Sequence, residues 1–163
     1  MLQAVRSAIV VMAATLPSTA MAEDVDQGHA ALAAAFKNVK GTLESGLKAG
    51  ERVGRPISAK FLLKGGTLQL TLWIAKDDGI SEFNLYPTIG TITEVVDITD
   101  PDKIEAATAQ KLAIDGATIS LFSATESAVR ANKGFRATSV LPMLSEGRPV
   151  RWLLCRARMV SAS

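Results

Sequence analysis

Few residues of this 163-residue chain could do covalent or metal chemistry. His29 is the only histidine and Cys155 the only cysteine. A Ser-His-Asp or Cys-His arrangement needs a histidine base beside the nucleophile. His29 stands near the start of the chain, far in sequence from Cys155, and fits a solvent-facing helix position better than a catalytic one. A protein zinc site draws on several His or Cys ligands, and one of each falls short. There is neither a P-loop nor a G-x-G-x-x-G run. The expectation is a protein without a cofactor and without a catalytic set, acting by binding.

Two binding chemistries are on offer. Asp77, Asp78, Asp97, Asp100 and Asp102, with Glu105 beside them, are the densest acids. Clustered carboxylates suit a hard cation such as calcium or a lanthanide, although the 97–105 stretch lacks the EF-hand spacing and its central glycine. The same acids also suit turns and the start of a helix. Metal binding through these five aspartates is therefore carried as the alternative reading. The second chemistry is a protein or peptide surface. Trp73 falls on the wetter parity of its strand, and with Tyr86 it marks a contact face, unless the second half of the chain covers it. From Ser127 onward seven basic residues, Arg148 and Arg151 among them, face one acid, Glu146. That imbalance suits either a solvated strand or a site for an acidic partner. The binding-surface candidates are Trp73, Tyr86, Arg148 and Arg151.

The total charge points away from nucleic acid. There are 18 Lys and Arg against 16 Asp and Glu, with no basic excess of the kind that tracks phosphates. The first residues read as a targeting segment. Arg6, the apolar run Ser7–Leu16 and Ala20-Met21-Ala22 stand in the order of a secretory signal peptide. Residues 1–22 are taken as that peptide, cut after Ala22, which makes the protein periplasmic or secreted. No later stretch is long and apolar enough to span a membrane. Cys155, among Val150, Trp152, Leu153 and Leu154, reads as a small core residue.

The elements that must position these residues are legible from their periods. Leu32, Phe36, Val39, Leu43, Leu47 and Val53 recur at helical spacing over Gly28–Val53, with Thr42 as the N-cap of a second helical piece that ends near Gly54. Ile57–Lys64, Thr67–Ala75, Ser81–Tyr86 and Thr91–Ile98 read as strands joined by turns at Gly65-Gly66, Asp77-Asp78-Gly79 and Pro87–Gly90. Alternation assigns Leu68, Leu70, Leu72 and Ile74 to a buried face, and Gln69, Thr71 and Trp73 to an exposed one. Ile104–Ile114 and Leu121–Asn132 read as helices, the latter opened by a Ser123-x-x-Glu126 capping box. Phe135–Leu144 and Val150–Val160 then form a hairpin, with Pro142 implying an edge strand or a bulge. The fold class is α+β, a helix packed on an antiparallel β-meander.

Two segments share one script. Gly54, Gly66 and Trp73 are matched by Gly134, Gly147 and Trp152, at offsets of 80, 81 and 79 residues. The stretch Leu47–Ile98, with Gly54, the Leu68–Ile74 strand, Asp78-Gly79 and Thr88-Ile89-Gly90 at the landmarks, resembles the PepSY family. Leu121–Val160 resembles it more weakly and lacks the last hairpin. The resemblance implies a PepSY-like unit repeated twice, residues 23–99 and a truncated copy in 100–163. It also implies a non-catalytic role in the cell envelope, restraining a peptidase or binding a ligand. Addition of a peptide at a sheet edge is the matching mode of binding, since it uses main-chain hydrogen bonds and needs no motif.

Overall fold

A computed structural model of the chain describes residues 30–87, 91–145 and 148–158, the last group by backbone alone. The expected signal peptide, His29 and the turns around Ile89 and Gly147 lie outside these residues. Residues 30–35 are helical and run into a 3-10 turn, Phe36–Asn38. The chain then restarts as α1, Leu43–Gly50. Thr42 caps α1 as its sequence implies: the Thr42 hydroxyl accepts from Ser45 N at 3.1 Å, and the Ser45 hydroxyl accepts from Thr42 N at 3.0 Å. Reciprocal capping of this kind satisfies two of the donors that a helix start leaves free.

Four strands follow as a meander: β1 (Arg55–Lys64), β2 (Thr67–Lys76), β3 (Gly79–Tyr86) and β4 (Thr91–Asp97). Gly65 and Gly66 turn the first hairpin at φ of 57° and 76°, a region that only glycine enters freely. After the meander come α2 (Pro101–Asp115), α3 (Leu121–Ala131), β5 (Phe135–Ser145) and β6 (Arg148–Arg158). All six strands join one antiparallel sheet in the order β4-β3-β2-β1-β5-β6. The architecture is α+β, as the patterning implies.

The meander and the C-terminal hairpin therefore share one sheet. Their seam pairs β1 with β5 at Ala59–Val140 and Lys60–Ser139. Helix–strand–strand order occurs on both sides of the seam, α1-β1-β2 and α3-β5-β6, and only the first is extended by β3 and β4. β5 is an inner strand and does carry bulges, between Phe135 and Ala137 and between Ala137 and Ser139, but Pro142 lies outside them. It pairs with Arg151 of β6 beyond the last β1–β5 pair, so its missing N–H falls where no bond to β1 is needed. The capping residue of α3 is also one turn earlier than its sequence suggests: Ser120 accepts from Ser123 N at 3.1 Å, and the Ser123–Glu126 capping box is not formed.

α1 packs on the face formed by Leu68, Leu70, Leu72 and Ile74, all 1–6% exposed. Its close approach depends on Gly46, where any Cβ would collide with the Leu70 side chain. α3 lies beside α1 in the same layer, with Lys48 Nζ 5.1 Å from the centre of the Phe122 ring. The opposite face departs from the sequence expectation. Gln69 and Thr71 are buried there at 6% and 5%, and Trp73 is half-buried. β2 is an inner strand, so its polar residues are enclosed by β1 and β3 as well as covered from above. Thr71 meets its burial by donating to Asn84 Oδ1 at 2.8 Å.

Candidate functional site

The second face of the meander carries a polar network built by cross-strand register. Trp73 pairs with Glu82, and Thr71 with Asn84, while Asn84 pairs in turn with Glu94 on β4. Residues directly opposite each other project to the same side, so five side chains from three strands meet in one layer. Trp73 Nε1 donates to Glu82 Oε2 at 3.1 Å, and Asn84 Nδ2 donates to Glu94 Oε2 at 3.1 Å and to Glu82 Oε1 at 3.4 Å. Lys103, in the first turn of α2, reaches down to Glu82 Oε2 at 3.2 Å. Burial pushes the Glu82 carboxyl up, but the hydrogen bonds from Trp73 and Lys103 outweigh it and hold the group below its ordinary value. The donors and acceptors of this layer satisfy one another, which is the arrangement of a rigid polar core rather than an open reactive centre.

Trp73 and Tyr86 share this face, but the Thr71–Asn84 pair stands between them. The register sets Tyr86 four residues along β3 from the partner of Trp73, roughly 13 Å away at the usual strand rise. They do not form one aromatic patch. Trp73 spends its N–H on Glu82, and Tyr86 is 38% exposed on its own. Arg148 and Arg151 take places in β6, opposite Ser145 and Pro142. Their side chains, with that of Cys155, are not among those described. Arg136, counted from sequence with the C-terminal surface charges, points into the molecule instead. Its guanidinium donates to the carbonyls of Val39 at 3.0 Å and Gly41 at 2.5 Å and stacks 4.8 Å from the Phe36 ring centre.

The five aspartates of the cation reading have separate employments. Asp100 caps α2 by accepting from Lys103 N at 3.0 Å. Asp97 accepts from the Ser81 hydroxyl at 2.8 Å, Asp102 stands in the first turn of α2, and Asp77 and Asp78 make the β2–β3 turn. Among the described residues no three His, Cys, Asp or Glu side chains gather closely enough to hold a metal ion.

Sequence reasoning invoked a sheet edge without saying which strand supplies it. β4 is the first strand of the sheet, and among the described residues nothing pairs with its outer side. Ile92 and Val95 project to the α1 side at 41% and 49% exposure, opposite Leu85 and Phe83, while Val96 is 46% exposed beside Glu82. A shallow apolar trough runs from Val53, Ala49 and Gly50 of the α1 region over Phe83 and Leu85 to Ile92. Thr93 is the extra residue of a bulge between the Asn84–Glu94 and Leu85–Ile92 pairs, its hydroxyl donating to Asn84 O at 3.0 Å. Glu94 to Asp97 then pair regularly with β3, and among the described residues nothing pairs with their outer side. Ile92, Val95 and Val96 are apolar on both faces of the strand, and an open edge with that pattern was the available signal.

Two other hollows are less suited to recognition. A cavity of about 140 Å³ lies between Gly54, Pro56, Ile114, Leu121 and Phe122, with Arg55 at its mouth. Arg55 is already engaged there, with Asp115 at 2.5 Å and Ile114 O at 2.7 Å. A wider basin of about 670 Å³ joins Arg55, Lys76, Asp77, Asp78 and Lys111, with charges of both signs along its walls.

No protein-family model, curated protein or solved structure matches the chain. Among the described residues no helix is long and apolar enough to cross a membrane.

Proposed function

We propose that the protein is a non-enzymatic, exported binding module that takes an extended peptide segment onto the outer edge of β4. The observation that supports this is the coincidence, in one short strand, of a backbone edge unpaired among the described residues with exposed apolar side chains on both faces. Strand addition draws its affinity from main-chain hydrogen bonds and its specificity from alternate side chains, and it needs no sequence motif. The side chains flanking β4 state a preference. On the α1 side an incoming strand meets Ile92, Val95 and Asp97; on the other side it meets Glu94 and Val96, with Glu82 one strand in. The fitting partner combines apolar residues with Lys or Arg. The PepSY resemblance of Leu47–Ile98 adds a cell-envelope peptidase as the source of such a segment, with restraint of that peptidase as the consequence.

The test is amide hydrogen exchange with two short peptides, one alternating Val with Lys and one alternating Val with Glu. The Val–Lys peptide is expected to slow exchange at Glu94–Asp97, less so as salt is raised. Equal protection by the Val–Glu peptide, or protection confined to other strands, refutes the reading.

A further inference from the structure

Both lateral edges of the sheet are free among the described residues, and they differ in charge. β4 contains Glu94 and Asp97 and no basic residue. β6 contains Arg148, Arg151, Arg156 and Arg158 and no acidic one. They also run in opposite directions, because the six strands are joined by five antiparallel ladders in succession. A second copy placed alongside the first in the same orientation therefore brings its β4 antiparallel to β6, continuing the pairing the sheet uses throughout. Contacts between like edges are disfavoured, since β4 on β4 sets acid against acid and β6 on β6 sets arginines against arginines.

The cover over the two edges is complementary as well. α2 and α3, on opposite sides of the sheet, both extend as far as β6. Among the described residues β4 has no comparable helix over it, and Ile92, Val95 and Val96 stay exposed on its two sides. An edge with helices above and below thus fits one with bare apolar faces. α2 also keeps Ile104 and Leu112 outside, at 44% and 56% exposure, apolar surface left uncovered among the described residues.

We propose that the chain associates head to tail, with β6 of one copy adding to β4 of the next. This rests on the reading that β4 accepts a strand and names a second copy as the occupant. A heterologous contact either closes into a ring or continues as a filament. Sheet twist of roughly 20–25° per strand acts about the direction of growth and so generates a screw, which favours the open filament. The Thr93 bulge confines regular pairing to Glu94–Asp97, so each joint is short, salt-sensitive and reversible.

Sedimentation velocity over a concentration series, at low and high salt, tests the proposal with two charge-reversed proteins. One carries Glu94→Lys and Val96→Lys; the other carries Arg148→Glu and Arg151→Glu. The unmodified protein is expected to gain mass with concentration at low salt and to lose it when salt is added. Each variant alone is expected to stay monomeric, and an equal mixture to regain association, because each then meets an edge of opposite sign. A folding defect cannot be complemented in that way. An unmodified protein that stays monomeric, one that stops at a symmetric dimer, or a mixture that fails to associate overturns the proposal. The Val–Lys peptide is run on the same samples. Peptide protection of β4 in a strictly monomeric protein removes self-association alone, whereas absence of both removes the binding reading with it.

Discussion

Replacing Arg136 with alanine should release the segment that precedes α1. Its guanidinium donates to Val39 O at 3.0 Å and Gly41 O at 2.5 Å, with a longer contact to Phe36 O at 3.4 Å. It also stacks on Phe36, whose ring meets Phe61 edge-on at 4.8 Å. A hydrogen bond from a charged donor is worth about 1.5–3 kcal/mol, and a cation over an aromatic ring adds about 0.5–1 kcal/mol at a partly exposed site. Arg136 is half-buried, so water recovers part of the loss at the freed carbonyls. Two good bonds at the low end plus the stack come to about 3.5–4 kcal/mol, and the recovery by water brings the expected cost to about 2–3 kcal/mol. Arg136→Lys keeps the charge but loses the fork that spans two carbonyls, and should recover about 1 kcal/mol of it. A double-mutant cycle with Phe36→Leu should return a coupling of about 0.5–1 kcal/mol for the stack. The assay is urea unfolding, with amide exchange over residues 30–41 as the local readout. A cost below about 0.5 kcal/mol for Arg136→Ala, or lysine behaving as arginine does, would refute the account of Arg136 as the bolt for this segment.

Three further outcomes follow from the packing. Because the folded-state value of Glu82 is depressed, its stabilising contribution is present above the ordinary carboxylate value of about 4.3 and is lost as pH falls through the lower folded value; Glu82→Gln should flatten the acid limb of a pH–stability curve below about pH 4.3. Asp100→Ala should cost about 1 kcal/mol through loss of the α2 cap, equally with and without calcium; a cost seen only with calcium in thermal melts would put the alternative cation reading ahead. Gly46→Ala should cost about 1–3 kcal/mol by forcing Leu70 aside, and an unchanged melting temperature would show that α1 sits farther from the sheet.

The elements were readable because each obeys one local rule. The Leu68–Ile74 alternation, the Thr42 cap and the turn glycines act within a few residues, and the strands and helices formed where those signals placed them. Sheet order was not readable, because the β1–β5 seam joins residues about eighty positions apart and depends on which hairpin reaches the free side of β1. Alternation also says which residues share a face but not what lies above that face. Gln69 and Thr71 therefore looked solvated, although β2 became an inner strand and the Asn84 side chain came to satisfy Thr71. Arg136 misled for a related reason. A guanidinium can snorkel outward or fold back on backbone carbonyls, and only the path of residues 36–41 decides between them.

α2 shows the same limit from the other direction. Its buried positions are Ala107, Ala113 and Ile114, while Ile104 and Leu112 stay outside. Small residues let the helix lie close to the sheet, so depth of approach does the work that large side chains do in α1. The apolar period is blurred as a result, and the sequence marks a helix without marking its inner face. Alanine packing accounts for the inner side of α2 but leaves Ile104 and Leu112 exposed among the described residues. Val95 and Val96 on β4 are in the same position. Isolated exposed apolar residues are ordinary. Two such sets, one on a helix that reaches the basic edge and one on the acidic edge itself, are better accounted for by a contact between copies than by each residue taken alone.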